Sequence, residues 1–295
     1  MPRLLKNAIV VCAIWLVVSR AGAQIQLDIK LARLQYIAYE PVIATVGITN
    51  LAGRDVELRD TLAQAWFGFE ITGEEGQPIA ASRTKLAQPP LHIEAGKRVT
   101  QKINLTPLYA VNELGIYHVR AYVHFNDLDR FFYSQRKAFT VTDARPIWQK
   151  TVGVPDQGSA AGRVRTYSLM TNRFPNHTSL YVRVEDKDTG IVYATESLGR
   201  IISMDEPQAQ LDRENHLHVL HCAGPRSWAY TQIGLNGEIL ARSAYLEAKS
   251  RPRLFQAAGG DIVVKGGLSQ DVVNRAAASK PVPKLSDRPA AIPKQ

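Results

Sequence analysis

Cysteine is nearly absent from this chain of 295 residues, which contains only Cys12 and Cys222. Cys12 lies inside an apolar run near the amino terminus. A chain that loses this run keeps one cysteine and forms no internal disulfide, so its stability must come from core packing. Cys12 also stands in the middle of the run, whereas lipid attachment would require a cysteine at its end.

Long apolar runs are lacking as well. The run from Ala8 to Val18 spans 11 residues, whereas a membrane-spanning helix takes about 20. Arg3 and Lys6 precede this run and small residues follow it at Ala21-Gly22-Ala23, the pattern of an export signal. We therefore predict that residues 1–23 are a cleaved signal peptide, with a membrane anchor as the weaker alternative. No membrane span is expected after cleavage, and the expected location is extracytoplasmic, either periplasmic or secreted.

Basic residues are not concentrated in a way that favours nucleic acid. The formal net charge is +9, to which Arg3, Lys6 and Arg20 of the predicted signal peptide contribute. The remaining Lys and Arg residues are interleaved with Asp and Glu along most of the chain. Nucleic-acid binders instead cluster basic residues on one face, together with aromatic residues. We therefore expect no nucleic-acid partner.

Motifs typical of enzymes are also missing. The sequence has no Gly-x-Ser-x-Gly elbow, no Walker loop, no His-Glu-x-x-His and no dinucleotide fingerprint. Carboxylates such as Glu185, Asp205 and Glu206 could pair in space for acid–base chemistry, but their separation depends on the fold. The sequence thus favours a protein that is not an enzyme, and it predicts no catalytic residue and no cofactor.

Alternating apolar residues characterise the first half of the chain. Within Tyr39–Asn50, every second side chain from position 42 is apolar: Val42, Ala44, Val46 and Ile48. Ile25 to Leu31 and Phe67 to Ile71 alternate in the same way, as strands with one buried face do. Short strands separated by Gly and Pro turn signals predict an antiparallel β-sandwich over residues 24–143. Trp66 is expected to anchor its core.

The first half also resembles a known class of domain. The run Y-x-x-x-E-P-V-x-A-x-V-x-I-T-N ends at Asn50, and an aromatic strand, an Ala-Gly-Lys turn and Gly115-Ile116-Tyr117 follow. This pattern resembles the immunoglobulin-like modules of exported bacterial proteins, including the family of intracellular proteinase inhibitors. The resemblance implies an immunoglobulin-like sandwich in which Tyr117 braces a corner of the sheet. The inter-sheet cysteine pair of antibody-type domains is absent.

The second half begins with a predicted linker at residues 144–162. Ala144-Arg145-Pro146 should end the last sandwich strand, and the stretch from Gly153 to Gly162 is rich in small residues. At the other end, residues 274–295 contain mostly Ala, Pro, Lys and Arg, too little apolar bulk to form a core. We interpret them as a disordered basic tail.

Residues 163–273 contain an internal repeat. A strand–turn–strand pattern around Asp188-Thr189-Gly190 recurs around Asn236-Gly237. Four-stranded propeller blades repeat at about 40 to 50 residues, but closed propellers need typically four or more blades. The segment is too short for that, so we predict a second antiparallel domain, a β-meander with blade-like repeats. A propeller fragment completed by oligomerisation is the alternative.

A histidine-rich segment precedes Cys222 and is the strongest polar cluster. On a strand, His216 and His218 lie on one face and His221 on the other, so the first two could chelate a metal. Asp212, Glu214 or His177 could complete such a site, and Cys222 could join only if the strand bends. A strand with an exposed polar face is the commoner structure, so no metal site is assigned.

The function expected from these features is that of an exported, non-catalytic binding or scaffold module. It would contact an envelope or extracellular protein or glycan through loops and sheet edges. One alternative is a module like a protease inhibitor, which the resemblance suggests. The other is a metal-dependent enzyme centred on His216 and His218.

Overall fold

A computed structural model describes residues 24–82, 88–154, 163–202 and 205–271. These residues fold almost entirely into β-strands with mostly antiparallel pairing, which confirms the predicted all-β fold class. The chain divides into two compact units, Met1–Asp143 and Ala144–Gln295. The predicted signal peptide and the predicted basic tail lie outside the described residues.

The described part of the first unit contains ten strands and one short 3-10 helix, Asn126–Leu128. The strands are β1 (Ile25–Leu31), β2 (Gln35–Ile37), β3 (Ile43–Asn50), β4 (Val56–Leu58), β5 (Phe67–Thr72), β6 (Leu91–Ile93), β7 (Arg98–Asn104), β8 (Gly115–Phe125), β9 (Arg130–Tyr133) and β10 (Lys137–Thr142). One sheet has the order β1-β3-β7. The other has the order β2-β10-β8-β5 with β9 beside β8, while β4 pairs with β6. Within these sheets β2 runs parallel to β10 and the other pairs are antiparallel.

The core of this unit lies between its two sheets. Val46 and Ile48 of β3 are fully buried, as the alternation predicted, and they belong to one apolar cluster with Phe67, Phe69 and Tyr117 of the opposite sheet. The two sheets therefore pack face to face in a β-sandwich arrangement. Trp66 is fully buried in the same cluster, which confirms its predicted place in the core.

Two polar side chains fix the ends of strands in this unit. The side-chain amide of Asn50 donates to the carbonyls of Arg54 (2.7 Å) and Ile93 (2.8 Å), so it ties the end of β3 to β6. The hydroxyl of Tyr117 donates to the carbonyl of Glu113 (2.9 Å) and braces the chain ahead of β8. Both residues thus stand where the sequence pattern expected a strand end and a braced corner.

The described part of the second unit contains eleven strands. They are β11 (Arg145–Gly153), β12 (Val164–Arg173), β13 (Thr178–Asp186), β14 (Ile191–Ile201), β15 (Gln208–Leu211), β16 (Leu217–Gly224), β17 (Ser227–Ile233), β18 (Ile239–Leu246), β19 (Arg253–Gln256), β20 (Ile262–Lys265) and β21 (Leu268–Ser269). Their sheets have the orders β11-β12-β13-β14, β15-β16-β17-β18-β21 and β19-β20. Two consecutive antiparallel meanders and a hairpin result. The repeat seen in the sequence corresponds to β13–β14 and β17–β18, whose turns hold Gly190 and Gly237 at positive φ.

Part of the segment predicted as a linker is instead a strand. β11 is an edge strand that pairs with β12, and the register shifts between Pro146 and Trp148. A proline is tolerated in an edge strand at such an irregularity, because no neighbouring strand requires a hydrogen bond from its backbone nitrogen there. Trp148 and Val152 then pack on the core of this unit. Residues 155–162 of the predicted linker lie outside the described part of the chain.

Candidate functional site

β16 carries the histidines that the sequence singled out, and it is buried on both faces. Leu217 and Val219 belong to the core shared with the β11–β14 sheet, whereas Leu220 and Cys222 pack with Leu254 of β19. The expectation of an exposed polar face on this strand is therefore wrong, because the hairpin of β19 and β20 packs against that face. His218 is only 4% exposed.

His218 is the centre of a chain of hydrogen bonds. Its Nε2 lies 3.0 Å from Oδ2 of Asp212, and its Nδ1 lies 2.8 Å from the hydroxyl of Tyr230. Burial acts to raise the pKa of Asp212, but hydrogen bonds from His218 and from the backbone of His216 and Glu214 hold it below its ordinary value. Burial raises the pKa of Tyr230, so its hydroxyl stays protonated. His218 therefore donates from Nε2 to a carboxylate and shares a hydrogen bond at Nδ1 with a phenol.

This arrangement leaves few free ligand atoms for a metal ion. Both ring nitrogens of His218 are occupied, and Nδ1 of His216 lies 3.3 Å from Oδ2 of Asp212 without hydrogen-bond geometry. The described residues contain no group of three or more His, Cys, Asp or Glu arranged to hold a metal. The structure thus brings His216, His218, Asp212 and Glu214 together, and Asp212 accepts hydrogen bonds from the backbone amides of His216 and Glu214 and from the ring of His218.

The other candidates from the sequence lie elsewhere. His177 stacks on Phe174 at 5.0 Å between ring centroids, in the turn between β12 and β13. Cys222 is buried, and its thiol donates to the carbonyl of Gly224 at 3.1 Å. Asp205 forms an ion pair with Arg251 at 3.1 Å, and Arg251 also pairs with Glu247 at 3.2 Å. These three candidates therefore do not join the cluster around Asp212.

His221 lies on the opposite face of β16 from His218 and is fully buried. Burial lowers its pKa to about 4, an effect that the backbone of Arg200 offsets only in part. Neither ring nitrogen makes a hydrogen bond of ordinary geometry. His221 is thus a neutral core side chain with unsatisfied polar atoms. Its burial makes the folded state sensitive to acid, and it does not act as a metal ligand.

A second cluster, which the sequence interpretation missed, lies on the outer surface of the first unit. β8 points Tyr117, Val119 and Ala121 into the core, so Arg120 and Tyr122 point outward. Register places Tyr122 opposite Tyr133 of β9 and opposite Gly68 of β5. We call the outward set the aromatic face: Glu70, Arg120, Tyr122, Phe131 and Tyr133.

The aromatic face is exposed and ordered by its own contacts. Phe131 and Tyr133 are 37% and 42% exposed, with ring centroids 6.2 Å apart and planes 24° from parallel. Tyr122 meets Phe131 edge-on at 5.6 Å. The guanidinium of Arg120 lies 4.1 Å from the centre of the Tyr133 ring and 2.6 Å from a carboxylate oxygen of Glu70. Aromatic planes and a charged pair thus share one surface.

A cavity adjoins this surface along β5. It has a volume of about 430 Å³ and its lining includes Gly68 and Tyr122 of the two paired strands. Polar groups of Asp60, Thr61, Gln64, Ser82 and Tyr109 line part of it, and apolar side chains such as Leu62, Phe67 and Leu108 line the remainder. Burial is the main cause that raises the pKa of both Tyr109 and Tyr122, so their phenols stay protonated. The cavity and the aromatic face together combine stacking surfaces with hydrogen-bonding groups.

Comparison with protein-family models and with curated proteins finds no match for this sequence. Within the part of the chain that the structure describes, no helix has the length and apolar character needed to cross a bilayer.

Proposed function

We propose that this chain is an exported, non-catalytic binding module whose aromatic face binds a glycan outside the cytoplasm. The observation that carries the proposal is the exposure of Phe131 and Tyr133 as a pair of nearly parallel rings. Contiguous patches of exposed apolar side chains often mark interaction surfaces. A pyranose presents an apolar C–H face that stacks on such rings, and its hydroxyls need hydrogen-bonding partners at the rim.

The charged pair beside the rings supports a sugar as the ligand. Arg120 and Glu70 offer several donors and acceptors in fixed positions, and hydrogen bonds to charged groups are stronger than neutral ones. Because the guanidinium of Arg120 also lies over the Tyr133 ring, the Arg120–Glu70 ion pair is held in a fixed position beside that ring. The adjoining cavity would hold a neighbouring sugar, since its lining combines hydrogen-bonding groups with apolar and aromatic side chains.

The first unit is best interpreted as an immunoglobulin-like sandwich. Its strand orders, the parallel pairing of β2 with β10 and the brace from Tyr117 to Glu113 support this assignment. The signal peptide predicted at residues 1–23 supports export, and an exported chain would present the aromatic face to extracellular or envelope glycans. The protease-inhibitor alternative depends on the resemblance alone. The metal-enzyme alternative is disfavoured because both nitrogens of His218 are engaged.

Binding to insoluble polysaccharides tests the proposal. Peptidoglycan, chitin and cellulose are incubated with the purified protein, and the bound fraction is measured by co-sedimentation. We expect saturable binding to at least one of them and a loss of ten-fold or more in affinity for both Phe131→Ala and Tyr133→Ala. The control variant is Phe255→Ala, which removes an equally exposed aromatic side chain from the second unit.

Two outcomes would contradict the proposal. Equal binding by the wild type, by Tyr133→Ala and by Phe255→Ala would place the contact elsewhere. Failure of the wild type to bind any polysaccharide, with saturable capture of a purified envelope protein through the same rings, would replace the glycan by a protein partner.

A further inference from the structure

The outer edge of β1 has unpaired backbone groups. Leu51 N–H donates to the carbonyl of Gln24 at 2.8 Å and Ala32 N–H donates to that of Ile43 at 3.2 Å, which sets the phase of the ladder between β1 and β3. In an antiparallel pair, hydrogen bonding to the partner alternates along the strand. The even-numbered residues of β1 therefore bond to β3, and the odd-numbered ones direct their N–H and C=O groups away from it: Ile25, Leu27, Ile29 and Leu31.

No other described strand covers this edge. β1 is the terminal strand of its sheet and pairs with β3 alone among the described residues. A cavity of about 550 Å³ runs along Gln26, Leu27, Asp28, Ile29, Lys30 and Leu31, and Leu34, Gln135 and Lys137 form its other wall. Space for a further strand therefore exists beside β1. Exposed edges of this length are usually protected or paired.

The charges on β1 indicate which strand would fit. Asp28 accepts a hydrogen bond from Arg98 at 2.9 Å and forms an ion pair with it at 2.7 Å across the sheet, which holds the carboxylate in place. Lys30 is exposed and has no ion-pair partner within the part of the chain that the structure describes. One strand thus carries a fixed anion and an unpaired cation two positions apart on the same face.

We propose that β1 pairs antiparallel with β1 of a second copy of this chain, about a twofold axis at Ile29. This register places Leu27 opposite the second copy's Leu31, so the outward N–H and C=O groups of both strands bond to each other. It also places Asp28 opposite the second copy's Lys30, and Lys30 opposite the second copy's Asp28. A register centred on Leu27 or Leu31 would not join opposite charges. The resulting interface is isologous and creates a continuous six-stranded sheet from two three-stranded ones.

This dimer is independent of the proposed glycan function, because β1 and the aromatic face belong to different sheets of the first unit. An extended segment of another protein could occupy the same edge by strand addition. The symmetric placement of Asp28 and Lys30 favours a second copy, since an unrelated strand would need matching charges by chance.

Sedimentation velocity over a concentration series tests the proposal with charge reversals. The purified wild type is expected to dimerise, whereas Lys30→Asp and Asp28→Lys alone should each weaken self-association at least ten-fold, because like charges then oppose each other. A mixture of these two variants restores both opposite-charge pairs and should form a heterodimer. The control is Lys102→Asp on β7, a charge reversal at the opposite edge of the same sheet, which should dimerise like the wild type.

Amide hydrogen exchange gives a readout that needs no substitution. The amides of Leu27, Ile29 and Leu31 should gain protection as protein concentration rises, while amides at the free edge of β7 should not. If Asp28→Lys fails to fold in a thermal melt, Lys30→Asp and the exchange data decide. A monomeric wild type at every concentration, or a dimer that Lys30→Asp leaves unchanged, would overturn the proposal.

Discussion

The ring of Tyr122 lies over Gly68, with its hydroxyl in the space that a Cβ at position 68 would need. The two residues are direct neighbours in the pairing of β5 with β8. Because glycine has no side chain, the phenol can lie flat on the sheet and meet Phe131 edge-on. Gly68 therefore shapes the aromatic face although it contributes no contact of its own to a ligand.

Gly68→Ala should destabilise the first unit by about 1–3 kcal/mol, the usual cost of overpacking, because the methyl group must displace Tyr122. In a Tyr122→Ala background the same change should cost much less, since the clash is gone. Thermal melts of the four proteins in this double-mutant cycle measure the coupling. Equal costs in the two backgrounds would show that the ring does not occupy this space.

Asn50→Ala should destabilise the first unit by about 2–4 kcal/mol. The substitution leaves the buried carbonyl of Ile93 without its donor and removes the bonds to Arg54 and Ala52. The neighbouring Thr49→Ala, on the same strand but only half-buried, should cost less than half as much. Urea unfolding of both variants measures the difference, and similar losses would contradict the role given to the Asn50 amide.

The second unit should lose stability as the pH falls from about 6.5 to 4. His221 has its pKa lowered to about 4 by burial, so the unfolded chain binds a proton in this range and the folded chain does not. The difference between these two pKa values corresponds to a loss of about 3 kcal/mol in the free energy of unfolding by about pH 4. His221→Leu should remove this part of the pH dependence and be neutral or stabilising at pH 7, since the ring makes no ordinary hydrogen bond. Chemical denaturation at several pH values measures it, with His177→Leu at an exposed position as the control. An unchanged acid slope in His221→Leu would refute the assignment.

Zinc should not bind stoichiometrically at His216 and His218. A metal would have to displace Asp212 and Tyr230 from the two nitrogens of His218, with the loss of both hydrogen bonds. Tyr230→Phe should instead destabilise the second unit by about 1–3 kcal/mol, because Nδ1 of His218 is then left unpaired. Metal analysis and thermal melts check both expectations. One equivalent of zinc that disappears in the double variant His216→Ala with His218→Ala would favour the metal-enzyme alternative.

Features that depend on neighbouring residues in the chain could be predicted from the sequence. The alternation in β3 gave the buried face of Val46 and Ile48, and the turn signal after Asn50 gave the strand end. β11 was missed because Pro146 is read as a breaker unless the strand is known to lie at a sheet edge. That position depends on the pairing with β12.

The missed parts of the candidate sites depend on pairing between distant strands. The face of β16 that carries His218 is covered at Leu220 and Cys222 by a hairpin far along the chain, which the alternation of β16 does not indicate. The aromatic face forms because β8, β9 and β5 bring Tyr122, Tyr133 and Gly68 into one row. The only local signal was that Tyr122 is out of phase with Tyr117, Val119 and Ala121.

Glycan binding by the aromatic face is tested most directly by an NMR titration with soluble fragments of the polysaccharide that the protein sediments with. We predict saturable shifts of the ring resonances of Tyr122, Phe131 and Tyr133, with no shift for Phe255 in the second unit. A titration that leaves these three rings unchanged while other resonances shift, or that shifts nothing, would contradict the assignment of this surface.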